Sequence, residues 1–89
     1  MYRLLIVDDE AIEREALKYI VQKSDLTIDA IEEACNGQEA ISVAAISESD
    51  IIIMDIKMPG LNGIESSKII RKIKAETKII FLTAFDELD

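Results

Sequence analysis

Residues 51–63 read IIIMDIKMPGLNG, an apolar run that ends at Asp55 and is followed by a loop rich in turn-forming residues. An unbroken apolar run between turn residues is typical of a strand buried on both faces, as at the centre of a parallel sheet. Asp55 is the first polar residue after this predicted strand. Because open α/β sheets bind ligands beyond the carboxyl ends of their strands, the sequence places Asp55 at a candidate site.

Two further apolar runs end in polar oxygen-bearing residues. Residues 4–7 (LLIV) are followed by DDE, which includes Asp8 and Asp9, and residues 79–82 (IIFL) are followed by Thr83. If these strands are parallel neighbours of the central one, their carboxylates and hydroxyl meet at one edge of the sheet. Such an oxygen-rich site suits a hard cation, above all Mg²⁺, which binds one or two carboxylates and keeps waters that phosphate oxygens can replace.

The segments between these runs predict helices and one weaker strand. Residues 11–23 and 64–74 carry amphipathic patterns, so we expect both helices to lie on the sheet. In the first of them the apolar side is formed by Ile12, Ala16, Leu17, Ile20 and Val21. Residues 27–34 predict a polar edge strand, and Asn36 is a candidate cap for a helix with a narrow stripe of small residues. The alternation of strand and helix predicts a parallel sheet with right-handed crossovers.

Composition limits the classes of function. The 89 residues predict one small domain, and 18 acidic against 10 basic residues give a formal charge of -8, which argues against nonspecific nucleic-acid binding by this segment. No apolar run is long enough for a signal peptide or a membrane span, so we expect a cytoplasmic protein. The chain has one cysteine, Cys35, and no histidine, which excludes an internal disulfide, catalytic triads and most zinc sites.

The oxygen-rich edge suggests phosphoryl transfer. A carboxylate can act as a nucleophile and form an aspartyl phosphate, and Asp55 is the best placed of the three aspartates. The cation and a hydroxyl such as that of Thr83 would stabilise charge on the transferred group. Taken singly, each feature also has a structural explanation, since DDE after a strand is commonly a helix cap.

Four motifs carry a family resemblance: LLIVDDE, EACNGQEAI, IIIMDIKMPGLNGIE and IIFLTAF. In this order, and over the whole chain, they resemble the receiver domains of two-component response regulators. The resemblance implies that Asp55 accepts a phosphoryl group from a histidine kinase and that Thr83 donates a hydrogen bond to it. It also implies that Asp9 binds Mg²⁺ directly, Asp8 through water, and Lys57 through its backbone carbonyl. Gly60 and Gly63 would allow the turns of the loop after the acceptor.

The resemblance further implies a flavodoxin-like, doubly wound parallel sheet with strand order 2-1-3-4. Family receivers continue through a fourth helix, a fifth strand ending in a lysine, and a fifth helix, so we expect residues 1–89 to be a single, incomplete receiver domain. Without that lysine we expect signalling by this chain to be impaired. The closing AFDELD resembles regulators with AraC-type DNA-binding output domains, which suggests a role in transcription regulation.

The same residues allow two other hypotheses about function. The exposed edge of the strand at residues 79–82 predicts self-association, so a receiver-like fragment that is not phosphorylated and pairs with a second copy is one alternative. The other is a phosphohydrolase of the haloacid dehalogenase type, which also uses an aspartyl nucleophile and Mg²⁺. Its DxDx(T/V) signature would stand where this chain reads DDEAI, so we expect a receiver domain rather than an enzyme.

Overall fold

The computed structural model describes residues 1–82 of the 89-residue chain. Its strands and helices alternate as predicted, and are β1 (Tyr2–Val7), α1 (Ala11–Gln22), β2 (Ile28–Ala34), α2 (Gly37–Ile46), β3 (Ile51–Asp55), α3 (Gly63–Ile73) and β4 (Lys78–Leu82). The predicted hydrogen-bonding role of Thr83 lies outside the described residues. No helix within residues 1–82 is long and apolar enough to cross a lipid bilayer.

The strands form one parallel sheet in the order β2-β1-β3-β4, which confirms the predicted topology. The polar strand β2 lies at an edge, as its sequence predicted, and the two apolar strands β1 and β3 lie in the centre. The register aligns Val7 with Met54, so that β1 and β3 end side by side. This alignment brings the residues that follow the two strands to the same edge of the sheet.

The main core lies between the sheet and the helices α2 and α3. Its buried members are Leu5, Val7, Ala34, Ala40, Ala44, Ile52, Met54, Met58 and Ile70. Asn36 caps α2 as predicted, because its side chain accepts a hydrogen bond from Glu39 N at 2.7 Å. A Cβ atom on Gly37 would collide with Ser66 Oγ and the Leu61 carbonyl oxygen, so glycine allows α2 to begin in close contact with α3.

Helix α1 packs on the sheet through a side that includes only part of the predicted apolar set, namely Leu17 and Val21. Ile12 and Ile20 are 79% and 62% exposed, and no residue of α1 is fully buried. The half-buried positions follow a helical stripe of their own, which consists of Arg14, Leu17, Lys18 and Val21. Arg14 and Lys18 both form ion pairs with Glu33 of β2, so the side of α1 that lies on the sheet combines apolar and basic residues.

Helix α3 also buries less of its apolar side than the pattern predicted. Only Ile70 among its four isoleucines is fully buried, while Ile64, Ile69 and Ile73 are 40%, 40% and 48% exposed. The helix is nevertheless well defined at its start. Asn62 and Glu65 form a reciprocal capping box, which satisfies amide groups that the first turn leaves without helical partners.

Candidate functional site

Three carboxylates meet at the carboxyl edge of the sheet. Asp8 and Asp9 follow β1, and Asp55 is the last residue of β3. One oxygen atom from each of these side chains lies within 4.8 Å of the others. The structure therefore brings together the three aspartates that the strand-end argument selected, and their hard oxygen donors fit Mg²⁺.

Asp8 is buried and held by backbone hydrogen bonds. It is 1% exposed, its amide donates to the Ala34 carbonyl at 3.1 Å, and its Oδ1 accepts from Glu10 N at 2.9 Å. Asp9 is exposed and Asp55 is half-buried. The site thus has a fixed, buried wall at Asp8 and an open side at Asp9.

Arg14 joins this wall to the neighbouring strand. Its Nη1 donates to the Asp8 carbonyl oxygen at 2.7 Å and its Nε donates to Glu33 Oε1 at 2.9 Å. Lys18 donates to the other carboxylate oxygen of Glu33 at 2.9 Å. Hydrogen bonds from Lys18, which has the larger effect, and from Arg14 lower the pKa of Glu33. This role of Arg14 was not predicted from the sequence. Its signal is a basic residue one turn into the helix that follows Asp8, with Lys18 four positions later on the same face.

A fourth carboxyl group, that of Glu13, reaches the site from the first turn of α1. A side-chain hydrogen bond with Asp8, followed by repulsion from its charge, raises the pKa of Glu13 above its ordinary value. Glu10 and Asp55 add smaller repulsive contributions. Glu13 was missed because the helical pattern assigned it only to the polar side of α1. An acidic residue in the first turn directly after DDE was the available signal.

The loop after Asp55 is fixed at both of its ends. Ile56 N donates to the Leu82 carbonyl at 3.1 Å, and Gly63 N donates to the Ile56 carbonyl at 2.9 Å. Gly60 has φ +76°, so it supplies the turn that was predicted for it. Gly63 serves a different purpose, because an added Cβ would collide with the Asp55 carbonyl oxygen.

A cleft of about 390 Å³ opens beside Asp9. Its other lining residues are Cys35, Asn36, Gln38, Pro59, Gly60 and Leu61. The cleft lies between the start of α2 and the loop after Asp55, and gives a molecule in solution access to the exposed side of the acidic site. The predicted use of the Lys57 carbonyl as a ligand stays a prediction.

Comparison with known proteins places this geometry in a family. The family model described as the response regulator receiver domain matches residues 4–89. Transcriptional regulatory protein LnrK of Bacillus subtilis (strain 168) is 40% identical over 87 residues, which cover 98% of this chain and 39% of LnrK. The chain therefore spans about two fifths of the length of that relative.

Solved structures agree with the sequence match. The response regulator TrrA from Thermotoga maritima, in complex with Mg²⁺-BeF, is 42% identical with a TM-score of 0.87, and the match covers 98% of this chain and 73% of TrrA. A two-component transcriptional regulator AraC from Clostridium phytofermentans ISDg is 31% identical with a TM-score of 0.88, covering 98% of this chain and 70% of that one.

The four-stranded sheet and its helices have the flavodoxin-like receiver fold of these neighbours. Receiver domains are signalling domains that receive phosphate from histidine kinases and bind Mg²⁺ at an acidic pocket. The strand-end aspartates, the strand order and the match over nearly the whole sequence lead to the same conclusion. The chain belongs to the response regulator receiver domain family.

Proposed function

We propose that Asp55 accepts a phosphoryl group from the phosphohistidine of a histidine kinase, with Mg²⁺ bound beside it. The observation that carries this proposal is the meeting of three carboxylate oxygens within 4.8 Å at the carboxyl edge of the sheet. The family match and the Mg²⁺-BeF complex of TrrA support it.

In this proposal the cation is held by the chain's own oxygen atoms. Asp9 and Asp55 would bind it directly, Asp8 through a water molecule, and Lys57 through its backbone carbonyl. When bound, Mg²⁺ would neutralise the crowded carboxylates and the negative charge of the phosphoryl oxygens. The hydrogen bonds that hold Asp8 in place support this indirect role, because a fixed carboxylate can orient the water molecules around an ion.

The chemical step is a transfer between two nucleophiles. A carboxylate oxygen of Asp55 attacks phosphorus, an O–P bond forms, and the N–P bond of the phosphohistidine breaks, leaving its electron pair on the imidazole nitrogen. Parallel pairing with β4 extends to Asp55 itself, which aligns with Leu82, and the next amide bonds to the Leu82 carbonyl. This pairing holds the backbone of the nucleophile in place. Thr83, which follows Leu82 in the sequence, would stabilise the transferred group.

Incubation of the 89-residue chain with acetyl phosphate and Mg²⁺, followed by intact-mass measurement, tests the proposal. We expect the wild type to gain the mass of one phosphoryl group, and the Asp55→Asn variant to gain none. Asp25→Asn, which removes an exposed carboxylate outside the site, is the matched control and should be labelled like the wild type. Equal labelling of Asp55→Asn would remove Asp55 as the acceptor. No labelling of the wild type would favour a receiver-like module that is not phosphorylated.

Self-association is a separate proposal, and we propose that it uses the outer edge of β4. Within residues 1–82, β4 pairs with β3 on one side only, and Ile80 and Phe81 are 51% and 38% exposed. Successive strand residues point to opposite faces, so apolar surface is exposed on both faces of the sheet beside this edge. A long apolar edge is a template for pairing with a second copy.

Sedimentation velocity over a range of concentrations tests this second proposal. We expect the wild type to form dimers and Ile80→Lys to dissociate them, because the added charge would lie at the pairing edge. Ile46→Lys is the control, since Ile46 is 84% exposed but lies at the end of α2. A wild-type chain that stays monomeric and folded at high concentration would contradict the proposal.

The remaining predictions concern the whole protein. The similarity to a regulator named AraC supports an AraC-type output domain and a role in transcription regulation, while the charge of -8 supports the absence of nucleic-acid binding by this segment. A cytoplasmic location follows from the proposed phosphodonor. The predicted impairment of signalling concerns parts of the fold beyond residues 1–82 and stays a prediction.

A further inference from the structure

The backbone turn after β1 is fixed at Asp8. The Asp8 amide donates to the Ala34 carbonyl at 3.1 Å, and Asp8 Oδ1 accepts from Glu10 N at 2.9 Å. The Asp8 carbonyl oxygen accepts from a side chain instead, Nη1 of Arg14 at 2.7 Å. Because the peptide bond is planar, the direction of this carbonyl sets the position of the Asp9 Cα atom and hence the point from which the Asp9 carboxylate starts.

Arg14 can fix that carbonyl because its own guanidinium group is held on the sheet. Arg14 Nε donates to Glu33 Oε1 at 2.9 Å, and the Arg14 side chain is only 17% exposed. The guanidinium is a planar fork of N–H donors, so a bond at Nε also limits the direction in which Nη1 points. Glu33 lies in β2, next to Ile6 of β1 in the parallel register. Both ends of the bridge therefore rest on the sheet that carries the acidic site.

We infer that Arg14 is a positioning residue of the Mg²⁺ site, which holds the Asp8–Asp9 peptide so that the Asp9 carboxylate is directed towards the ion. This inference rests on the proposed function. Asp8 is 1% exposed, and a buried carbonyl without a donor is costly, so the bond to Arg14 keeps this peptide in one orientation. Partners that orient metal ligands without touching the ion commonly change metal affinity by about 10–100-fold.

Isothermal titration of Mg²⁺ into the 89-residue chain at neutral pH tests the inference without any phosphorylation readout. For Arg14→Gln we expect Mg²⁺ affinity to fall about 10-fold, the lower end of the range for such partners, because Arg14 bonds to the backbone and not to a ligand oxygen. The sign of the change is informative. Charge alone predicts tighter binding by this variant, because a cation that repels Mg²⁺ has been removed.

Lys18→Gln is the matched control. It removes the same charge from the same helix and breaks an ion pair with the same partner, Glu33, but the Lys18 ammonium bonds to Glu33 and Glu15. Its affinity should stay within about 2-fold of the wild type, because salt weakens the effect of a charge farther along the helix. Arg14→Lys keeps the charge but replaces the planar fork by a single ammonium. It should bind Mg²⁺ more weakly than the wild type and more tightly than Arg14→Gln.

Urea unfolding in the presence of EDTA separates positioning from a loss of the fold. Unfolded chain lowers the apparent affinity only in proportion to the folded fraction, so a loss of about 10-fold in a variant that is mostly folded comes from the site. If Arg14→Gln is largely unfolded, Arg14→Lys takes its place in the comparison with Lys18→Gln. An Arg14 variant that binds Mg²⁺ as tightly as the wild type or more tightly, or a Lys18→Gln control that is weakened equally, would overturn the inference and leave the proposed role of Asp55 standing. A wild type that binds no Mg²⁺ would overturn both.

Discussion

Asp50 precedes β3 and Asp55 is the last residue of β3, and the surroundings of their two carboxylates differ. At the amino end, Asp50 Oδ2 accepts from Arg3 N at 2.8 Å, and its backbone bonds to Arg3 O and Lys78 N at 2.8 and 3.0 Å. At the carboxyl end, one carboxylate oxygen of Asp55 lies within 4.8 Å of an oxygen of Asp8 and of an oxygen of Asp9. One carboxylate completes the hydrogen bonding of the fold, and the other joins a group of like charges.

We propose that the carboxyl end of the sheet is the end adapted to a ligand. Hydrogen bonds from the chain itself stabilise a carboxylate, whereas several carboxylates facing one another raise each other's free energy until a cation or a proton intervenes. Next to this group, a hydrogen bond with Asp8 and then repulsion from its charge raise the pKa of Glu13. We therefore expect substitutions at the two ends to separate cation binding from stability.

The largest effect is expected for Asp9→Asn. Asp9 is exposed and belongs to the acidic group, so its replacement removes a ligand charge without opening the core. Mg²⁺ affinity should fall by at least about 100-fold, beyond the loss typical of outer-layer partners. The free energy of unfolding without Mg²⁺ should not decrease. Calorimetric titration measures the Mg²⁺ affinity and urea unfolding measures the stability. A stable variant with wild-type affinity would contradict a role for the carboxyl end of the sheet in cation binding.

A smaller effect, on stability, is expected for Gly63→Ala. The added Cβ would collide with the Asp55 carbonyl oxygen, so the start of α3 or the end of β3 must shift. Overpacking of this kind costs about 1–3 kcal/mol in the free energy of unfolding. Gly60→Ala is the control for backbone strain alone, since it has φ +76° but no atom within 4 Å of the added carbon. Equal losses from both variants in urea unfolding would argue against the steric account.

Asp50→Ala should lower the free energy of unfolding by about 1 kcal/mol. It removes one charge-assisted hydrogen bond to Arg3 N, and the exposure of the pair keeps the loss near the lower limit for such bonds. Mg²⁺ affinity should be unchanged, which is the reverse of the result expected for Asp9→Asn. Weakened Mg²⁺ binding by this variant would mean that the two ends of the sheet are not independent.

The smallest effect is expected for Glu33→Gln, and it depends on pH. Lys18 and Arg14 lower the pKa of Glu33 from its ordinary value of 4.5, so the ionised group stabilises the folded state above that pH. The contribution is lost as the pH falls through the lowered pKa. Because Glu33 is about one third exposed, we expect a cost near 0.5 kcal/mol at neutral pH.

Urea unfolding at several pH values checks this dependence. The wild type and Glu33→Gln should differ most at neutral pH and converge as the pH is lowered below 4.5. A difference that grows on acidification would contradict the assignment of Lys18 and Arg14 as the cause.

The central strands could be predicted from the sequence because an unbroken apolar run is stable in a sheet only where both faces of the strand are buried. The cap at Asn36 and the meeting of Asp8, Asp9 and Asp55 followed from local patterns and from parallel topology. The orientation of α1 could not be predicted in this way. Arg14 and Lys18 lie on its packed side and pair with Glu33, more than a dozen residues away in the chain, and helical periodicity contains no information about such pairs.

Two features of the site that were not predicted, at Glu13 and at Gly63, also depend on contacts between different elements. The effect of Asp8 on the pKa of Glu13 depends on how α1 is placed relative to the end of β1. The purpose of Gly63 likewise depends on how closely α3 approaches the Asp55 carbonyl. Contacts between elements decide both features, while the patterns within each element do not.

Chemical mapping of the phosphoryl group tests the central claim most directly. The chain is treated with acetyl phosphate with and without Mg²⁺ and reduced with borohydride, which converts an aspartyl phosphate to homoserine, and the modified residue is located by tandem mass spectrometry. We predict homoserine at position 55, formed only when Mg²⁺ is present. Homoserine at another aspartate, or at position 55 to the same extent without the cation, would contradict the account.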